Sequence, residues 1–263
     1  MGVDREPRTR QWTQTIRSVP ASGTPSSRRR RRRQVAVAVA AAVLFTVLVA
    51  VVAARHGSPF PFDSAIHRWA LSKRSRTWTG IARGLAFTGT GAPPYTVAAL
   101  AGALASGSRT WWWRGAVVGV LALALAEAVR VVLAGALARP RPPRSDWATA
   151  AGGASLPSGH ATTSALVAIG VAVVLLTRCH HWWTRLTASA VPALWAAGVG
   201  ASRVYLGVHW PTDVLAGWLL AAALTCALIP RLTTVLSHVT TAAAAATEGA
   251  RDSESTSEGN TLP

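Results

Sequence analysis

The sequence predicts an all-α integral membrane protein, a six-helix bundle with its active site at the extracytoplasmic ends of the helices. Three observations predict it. Half of the 263 residues are apolar, and the mean hydropathy is positive, which points to a membrane protein before any motif is read. Apolar runs recur six times along the chain. Short polar strings rich in histidine and arginine stand where those runs end.

The first run, Val35 to Ala54, is nearly free of charge and long enough to cross a hydrocarbon core of about 30 Å. It is too long, and too far from Met1, to be a cleaved signal peptide. Five more runs follow at about 93–110, 115–137, 161–177, 186–201 and 214–230. The last three are short and need flanking residues to complete a span. Trp111 to Trp113, Trp182, Trp183 and Trp210 stand at run ends, where interfacial aromatic belts form. Residues 35–231 thus read as one membrane domain. Residues 1–34, rich in Arg, Ser and Thr, and 232–263, rich in Ala, Ser and Glu, read as disordered cytoplasmic tails.

Net charge is +17, and 26 of the 27 basic residues are arginine, Lys73 being the exception. The Arg28–Arg33 block beside the first run follows the positive-inside rule, which explains it better than nucleic-acid binding. With the N-terminus inside, basic residues on the tails and inner loops outnumber those outside. Both termini are then cytoplasmic in a multi-pass cell-membrane protein. The loops 139–160 and 202–213 both fall on the extracytoplasmic face. Between them and the first run, Phe60 to Phe87 interleaves Ile66, Trp69, Ile81 and Leu85 with Arg68, Lys73, Arg74, Arg76 and Arg83. It reads either as an interfacial amphipathic helix that gathers anionic headgroups or as an ordinary solvated loop.

Acidic residues are scarce. Residues 35–231 hold only Asp63, Glu127, Asp146 and Asp213, too few for a two-metal phosphatase centre. No metal or other cofactor is expected. Cys179 and Cys226 have no metal-ligand spacing and read as structural thiols in a reducing compartment.

Three polar strings carry the chemistry: Arg139-Pro140-Arg141-Pro142, Pro157-Ser158-Gly159-His160, and Ser202-Arg203 followed by His209 and Asp213. Asp213 lies four residues after His209, so its carboxylate can accept one imidazole N–H and leave the other nitrogen a free lone pair. His209 then reads as a nucleophile toward phosphorus. Arg203, Arg141 and Arg139 offer guanidinium forks to phosphate oxygens. Ser158 offers a hydroxyl, and Gly159 a backbone N–H with no side chain in the way. A helix starting after His160 would aim its positive end at the same place, and His160 suits a general acid. His56, His67, His180, His181 and His238 lack such company and read as structural.

Together these strings resemble the type 2 phosphatidic acid phosphatase (PAP2) superfamily. Its signature is Lys-x6-Arg-Pro, Pro-Ser-Gly-His and Ser-Arg-x5-His-x3-Asp, and residues 157–160 and 202–213 meet the second and third strings in full. The resemblance implies a metal-independent membrane lipid phosphatase. His209 would be the nucleophile that forms a phosphohistidine, Asp213 its partner, His160 the general acid, and Arg141, Ser158, Gly159 and Arg203 the phosphate binders. The partners implied are the bilayer and a lipid phosphate: phosphatidate, phosphatidylglycerol phosphate or a polyprenyl diphosphate such as undecaprenyl diphosphate.

The first string departs from the pattern. Seven residues before Arg141 stands Ala134, and seven before Arg139 stands Val132. The nearest basic residue is Arg130. Four extra residues are one helical turn, which keeps Arg130 on the same face about 6 Å deeper, with a side chain long enough to reach up. Otherwise Arg130 pairs with Glu127 at i,i+3 inside the membrane. The missing lysine also keeps open a non-catalytic protein that binds lipid phosphate or assists its transport, although binding alone requires no histidines.

Overall fold

The structure is a computed structural model and describes residues 25–228. The described residues form eight α-helices and one 3-10 turn. The helices are α1 (Pro25–Ala54), α2 (Pro61–Ser72), α3 (Arg76–Thr88), α4 (Ala92–Ser106), α5 (Trp112–Leu137), α6 (Gly159–Leu176), α7 (Trp182–Tyr205) and α8 (Pro211–Leu228). Among the described residues the six apolar runs fall on α1, α4, α5, α6, α7 and α8, with α4 ending at Ser106, short of residue 110. Residues 229–263, including His238 and the last three residues of the expected membrane domain, lie outside the described residues, as do 1–24. The Arg28–Arg33 block belongs to α1 rather than to a separate tail, because the helix begins at Pro25.

Four helices are long and apolar enough to cross a bilayer: Arg31–Ala54 of α1, and α5, α6 and α8. The protein is therefore a multi-pass membrane protein. The other two runs fall short for separate reasons. Helix α4 has 15 residues, about 22 Å at 1.5 Å per residue. Helix α7 has 24 residues but mixes Thr184, Arg185, Thr187 and Ser189 into its first half. Large apolar side chains face outward along α1, α5 and α7, among them Val43, Leu121, Val132 and Leu194. Such a surface suits lipid rather than water.

Small residues let the helices approach closely, as in other membrane bundles. Helices α4 and α5 meet at Gly102 and Gly115, where a Cβ on Gly102 would fall 2.1 Å from the Gly115 carbonyl oxygen. Helix α6 packs on α4, α5 and α7. Ala161 of α6, Val204 of α7 and Val214 of α8 share one buried cluster with Trp218 against it. The C-terminal end of α1 joins through Val52, which packs with Leu156 and Ala216.

Phe60 to Phe87 folds as two helices, α2 and α3, broken at Lys73–Ser75. The Ser75 hydroxyl caps α3 by accepting from the Trp78 N–H at 3.3 Å. Both helices bury part of their surface. Asp63, His67 and Ala70 of α2 and Ala82 and Ala86 of α3 are buried. The segment is thus a packed collar at one end of the bundle. Trp112, Trp113, Trp182 and Trp183 are exposed, as belt residues are, whereas Trp210 is buried and its indole N–H donates to the Pro140 carbonyl at 3.2 Å.

Candidate active site

The three polar strings converge at the collar end. Arg141 follows α5, Ser158 to His160 begin α6, Arg203 ends α7, and His209 and Asp213 frame the start of α8. The Ser158 N–H donates to the Asp213 carbonyl oxygen at 3.0 Å, which ties the second string to the third. Gly207 makes the turn between α7 and α8 possible. Its φ is +76°, and a Cβ there would lie 2.3 Å from the Asp146 carbonyl oxygen, so only glycine suits both demands.

His209 is 2% exposed. Its Nε2 lies 2.8 Å from Arg141 Nη1. A guanidinium only donates, so Nε2 is the lone-pair nitrogen of the neutral ring and Nδ1 carries the hydrogen. Nδ1 faces Asp213 Oδ2 and Ser155 Oγ, each at 3.5 Å. Asp213 is more heavily engaged than its spacing suggests. Its Oδ2 also accepts from the Trp210 N–H at 2.8 Å and from the Ser155 hydroxyl, so the carboxylate closes the first turn of α8 while it faces the imidazole. Burial pushes the His209 imidazole down to about 4 against the lift from Asp213, and the charges of Arg141 and Arg203 lower it further. The ring is neutral at physiological pH.

Around His209 stand donors without acceptors. Ser158 Oγ, Arg203 Nε and Arg130 Nε are buried with no hydrogen-bond partner in the protein. Burying an unpaired donor costs on the order of 1–3 kcal/mol, so three together point to an anion that would accept from them. Arg130 has both contacts weighed above. Its Nη2 pairs with Glu127 Oε1, and its guanidinium lies so close to Gly159 that a Cβ there would stand 3.3 Å from Arg130 Cζ. Burial lowers the Arg141 guanidinium below its ordinary value, Asp213 works against that, and the charge of Arg130 adds to the lowering. His160 sits at the α6 N-terminus, within electrostatic reach of Arg203, His209, Arg141 and Arg130.

The two Arg-Pro pairs part company. Arg141 donates from Nε to Gly153 O (3.0 Å), from Nη2 to Gly152 O (2.8 Å) and Ala154 O (3.1 Å), and from Nη1 to Val208 O (2.8 Å), wrapping the 152–154 loop over His209. Arg139, expected beside it on phosphate, points the other way. Ala138 ends α5 in the left-handed region, φ 44°, and turns the next residue back into the protein. Arg139 is 1% exposed and binds Gly57 O, Thr212 Oγ1, Asp63 Oδ2 and, at 2.5 Å, Asp213 Oδ1. Those partners engage Nε, Nη1 and Nη2 of Arg139.

Sequence reading passed over Asp63, Ser155 and Thr212. Only Asp63 had a signal: in a region with four acids, a carboxylate beside a span needs a partner. His67, read as structural, is buried and bonded at 3.0 Å to Asp146 Oδ2, and that hydrogen bond is the main reason the Asp146 carboxyl lies below the usual carboxylate range.

Residues 115–235 match the PAP2 superfamily. The chain is 34% identical over 151 residues to decaprenylphosphoryl-5-phosphoribose phosphatase of Mycolicibacterium smegmatis, covering 56% of this chain and 75% of that protein. Over 68 residues it is 46% identical to undecaprenyl-diphosphatase of Sulfolobus acidocaldarius, covering 26% of this chain and 29% of the relative. Its fold matches the crystal structure of a transmembrane PAP2 type phosphatidylglycerolphosphate phosphatase from Bacillus subtilis, with a TM-score of 0.59 and 24% identity over 77% of this chain and 94% of the other. A match of this identity over three quarters of a named phosphatase, on a shared helical fold, makes the chain a member of the PAP2 superfamily and a phosphatase of that type.

Proposed function

We propose that the protein hydrolyses a lipid phosphomonoester or diphosphate without a metal, through a phosphohistidine on His209. The observation that carries this reading is the tautomer of His209: Arg141 donates to Nε2, so Nε2 carries the lone pair of the ring, and the same site holds the unpaired donors of Ser158, Arg130 and Arg203. The Nε2 lone pair attacks phosphorus as the bond from phosphorus to the lipid oxygen breaks. His160 protonates the leaving oxygen. Asp213 stabilises the charge that develops on the ring. Water then attacks the phosphohistidine, giving a proton back to His160 and releasing phosphate. Arg130, Arg141, Arg203, Ser158 and the Gly159 N–H hold the phosphoryl oxygens. Arg141 moves its Nη1 from His209 to the substrate when phosphate arrives.

Metal independence is supported by the carboxylates themselves. Asp63 and Asp213 share Arg139, and Glu127 is held by Arg130. Each of them is engaged by an arginine where a metal site would need it free. The basic N-terminal block supports a six-span topology with cytoplasmic termini and an extracytoplasmic site. Helices α4 and α7 would complete their spans with flanking residues. The relative matched over three quarters of its length acts on a polyprenyl-linked sugar phosphate, so polyprenyl lipids are the first substrates to assay, ahead of phosphatidylglycerol phosphate and phosphatidate.

His209→Ala should reduce phosphate release to background, a loss on the order of 10⁴-fold or more, while the protein still inserts and folds. Acid-labile phosphoenzyme should appear on wild type during turnover and be missing from the variant. Wild-type release by His209→Ala sinks the mechanism. Activity should also persist in EDTA.

A further inference from the structure

Helix α2 belongs to none of the three strings, yet it holds the His209–Asp213 turn at two points. Asp63 is fully buried, and both of its carboxylate oxygens are used. Oδ1 accepts from the Thr212 N–H at 3.0 Å. Oδ2 accepts from the Thr212 hydroxyl at 2.7 Å, from Arg139 Nη2 at 3.1 Å and from the Phe60 N–H at 3.1 Å. Arg139 in turn reaches Asp213 Oδ1 and Thr212 Oγ1 through Nη1. One helical turn along the same face of α2, His67 packs against Trp210, with ring centroids 5.2 Å apart. The residues gripped, Trp210 and Thr212, are the immediate neighbours of His209 and Asp213.

We propose that Asp63 is a positioning residue for the His209–Asp213 dyad, acting through Arg139 and Thr212. The inference rests on the dyad reading above. The geometry gives Asp63 two effects. It fixes the backbone at Thr212, and so the direction from which the Asp213 carboxylate meets the imidazole. It also sets the local charge. Asp213 and Arg139 alone would form a neutral pair, and a neutral pair offers little to a ring that turns cationic as it attacks. With Asp63 the three groups carry one net negative charge in a water-poor site, where a nearby charge is felt strongly. That negative charge balances the imidazolium at the moment it forms.

The test is Asp63→Asn in the full-length, detergent-solubilised protein. Phosphate release from a polyprenyl diphosphate and from a short-chain phosphatidate gives kcat and KM, and ¹⁵N NMR of labelled histidine follows the His209 titration. Because Asp63 does not touch substrate, kcat should fall by roughly 10- to 100-fold, the size usual for an outer partner of a functional histidine, with KM little changed. The His209 pKa should move below its wild-type value, a change that a merely structural residue would not produce. Asp63→Glu should recover part of both. A folded Asp63→Asn enzyme with wild-type kcat and an unmoved His209 titration overturns the proposal. If Asp63→Asn does not fold, Thr212→Val tests the same link by removing one bond to Asp63 and one to Arg139. Wild-type kcat in Thr212→Val then overturns it. His209→Ala separates the two levels: an active His209→Ala removes the dyad reading, whereas an inactive His209→Ala beside a fully active Asp63→Asn removes only the role of Asp63.

Discussion

Two clusters of charge flank the His209–Asp213 dyad, and they are built in opposite ways. On the α2 side, Arg139 lies between Asp63 and Asp213, and its donors meet acceptors on the protein. On the other side, Arg130, Arg203 and Ser158 each leave one buried donor without an acceptor, and Arg141 beside them is bonded to the 152–154 loop, Val208 and His209. One cluster is closed and the other waits for an anion. Arg139 and Arg141, two residues apart in one repeated dipeptide, stand in different clusters. The same residue type therefore joins two carboxylates in one case and, in the other, ties a loop to His209, where we propose that it also meets phosphate.

The largest effect should come from opening the closed cluster. Arg139→Ala leaves two carboxylates buried without their common cation, and breaking a buried ion pair costs about 3–5 kcal/mol. Thermal unfolding in detergent should show a marked drop in Tm and yield. A well-folded Arg139→Ala protein with wild-type Tm would break the contrast.

Arg141→Ala should act on the open side. We expect a fall in kcat/KM worth roughly 2–4 kcal/mol, as for one lost oxyanion donor, with a smaller change in Tm than for Arg139→Ala. If the two variants show the same balance of stability and activity, the clusters are not distinct in kind.

Arg130 tests the border between them, since it pairs with Glu127 and also abuts Gly159. Arg130→Ala alone strands a carboxylate in the bundle. Arg130→Ala with Glu127→Ala removes that defect, and kcat/KM should remain reduced by about 2 kcal/mol. Near-wild-type kcat/KM in the folded double variant would take Arg130 off the phosphate and leave only Arg141 and Arg203.

A further effect is a matter of pH. Burial holds the His209 imidazole down to about 4 in the folded state, against about 6.5 in an unfolded chain. A lowered histidine pKa means that the unfolded state binds the extra proton first. The stability from this group is therefore complete above about pH 6.5 and declines as pH falls toward 4. Over the same window His209 keeps its lone pair. Histidine NMR should show His209 neutral at pH 5.5, and an imidazolium there would contradict the closed surroundings that push the value down.

Much of this was legible from the chain. The six apolar runs each became a helix, because a run of apolar residues in a bilayer must satisfy its own backbone hydrogen bonds. His160, Ser158, Gly159, Arg203, His209, Asp213 and Arg141 came together as their spacing implied, each beside a helix end that the hydropathy pattern located. Phe60 to Phe87 was harder to read. Its alternation of apolar and basic residues suited a surface helix, and nothing in that pattern showed that Asp63 and His67 share a buried face.

By itself, the sequence determined the membrane class, the helical runs and the family, since each depends on composition or on spacing within a string. Tertiary structure alone decided what each arginine faces. The left-handed turn at Ala138 sends Arg139 inward to Asp63 and Asp213, 76 and 74 residues away in the chain. It also decided that Arg130 meets Gly159 across two helices. The physical reason is that a guanidinium takes its role from the acceptors within hydrogen-bond reach, and here those acceptors belong to segments that only packing brings together.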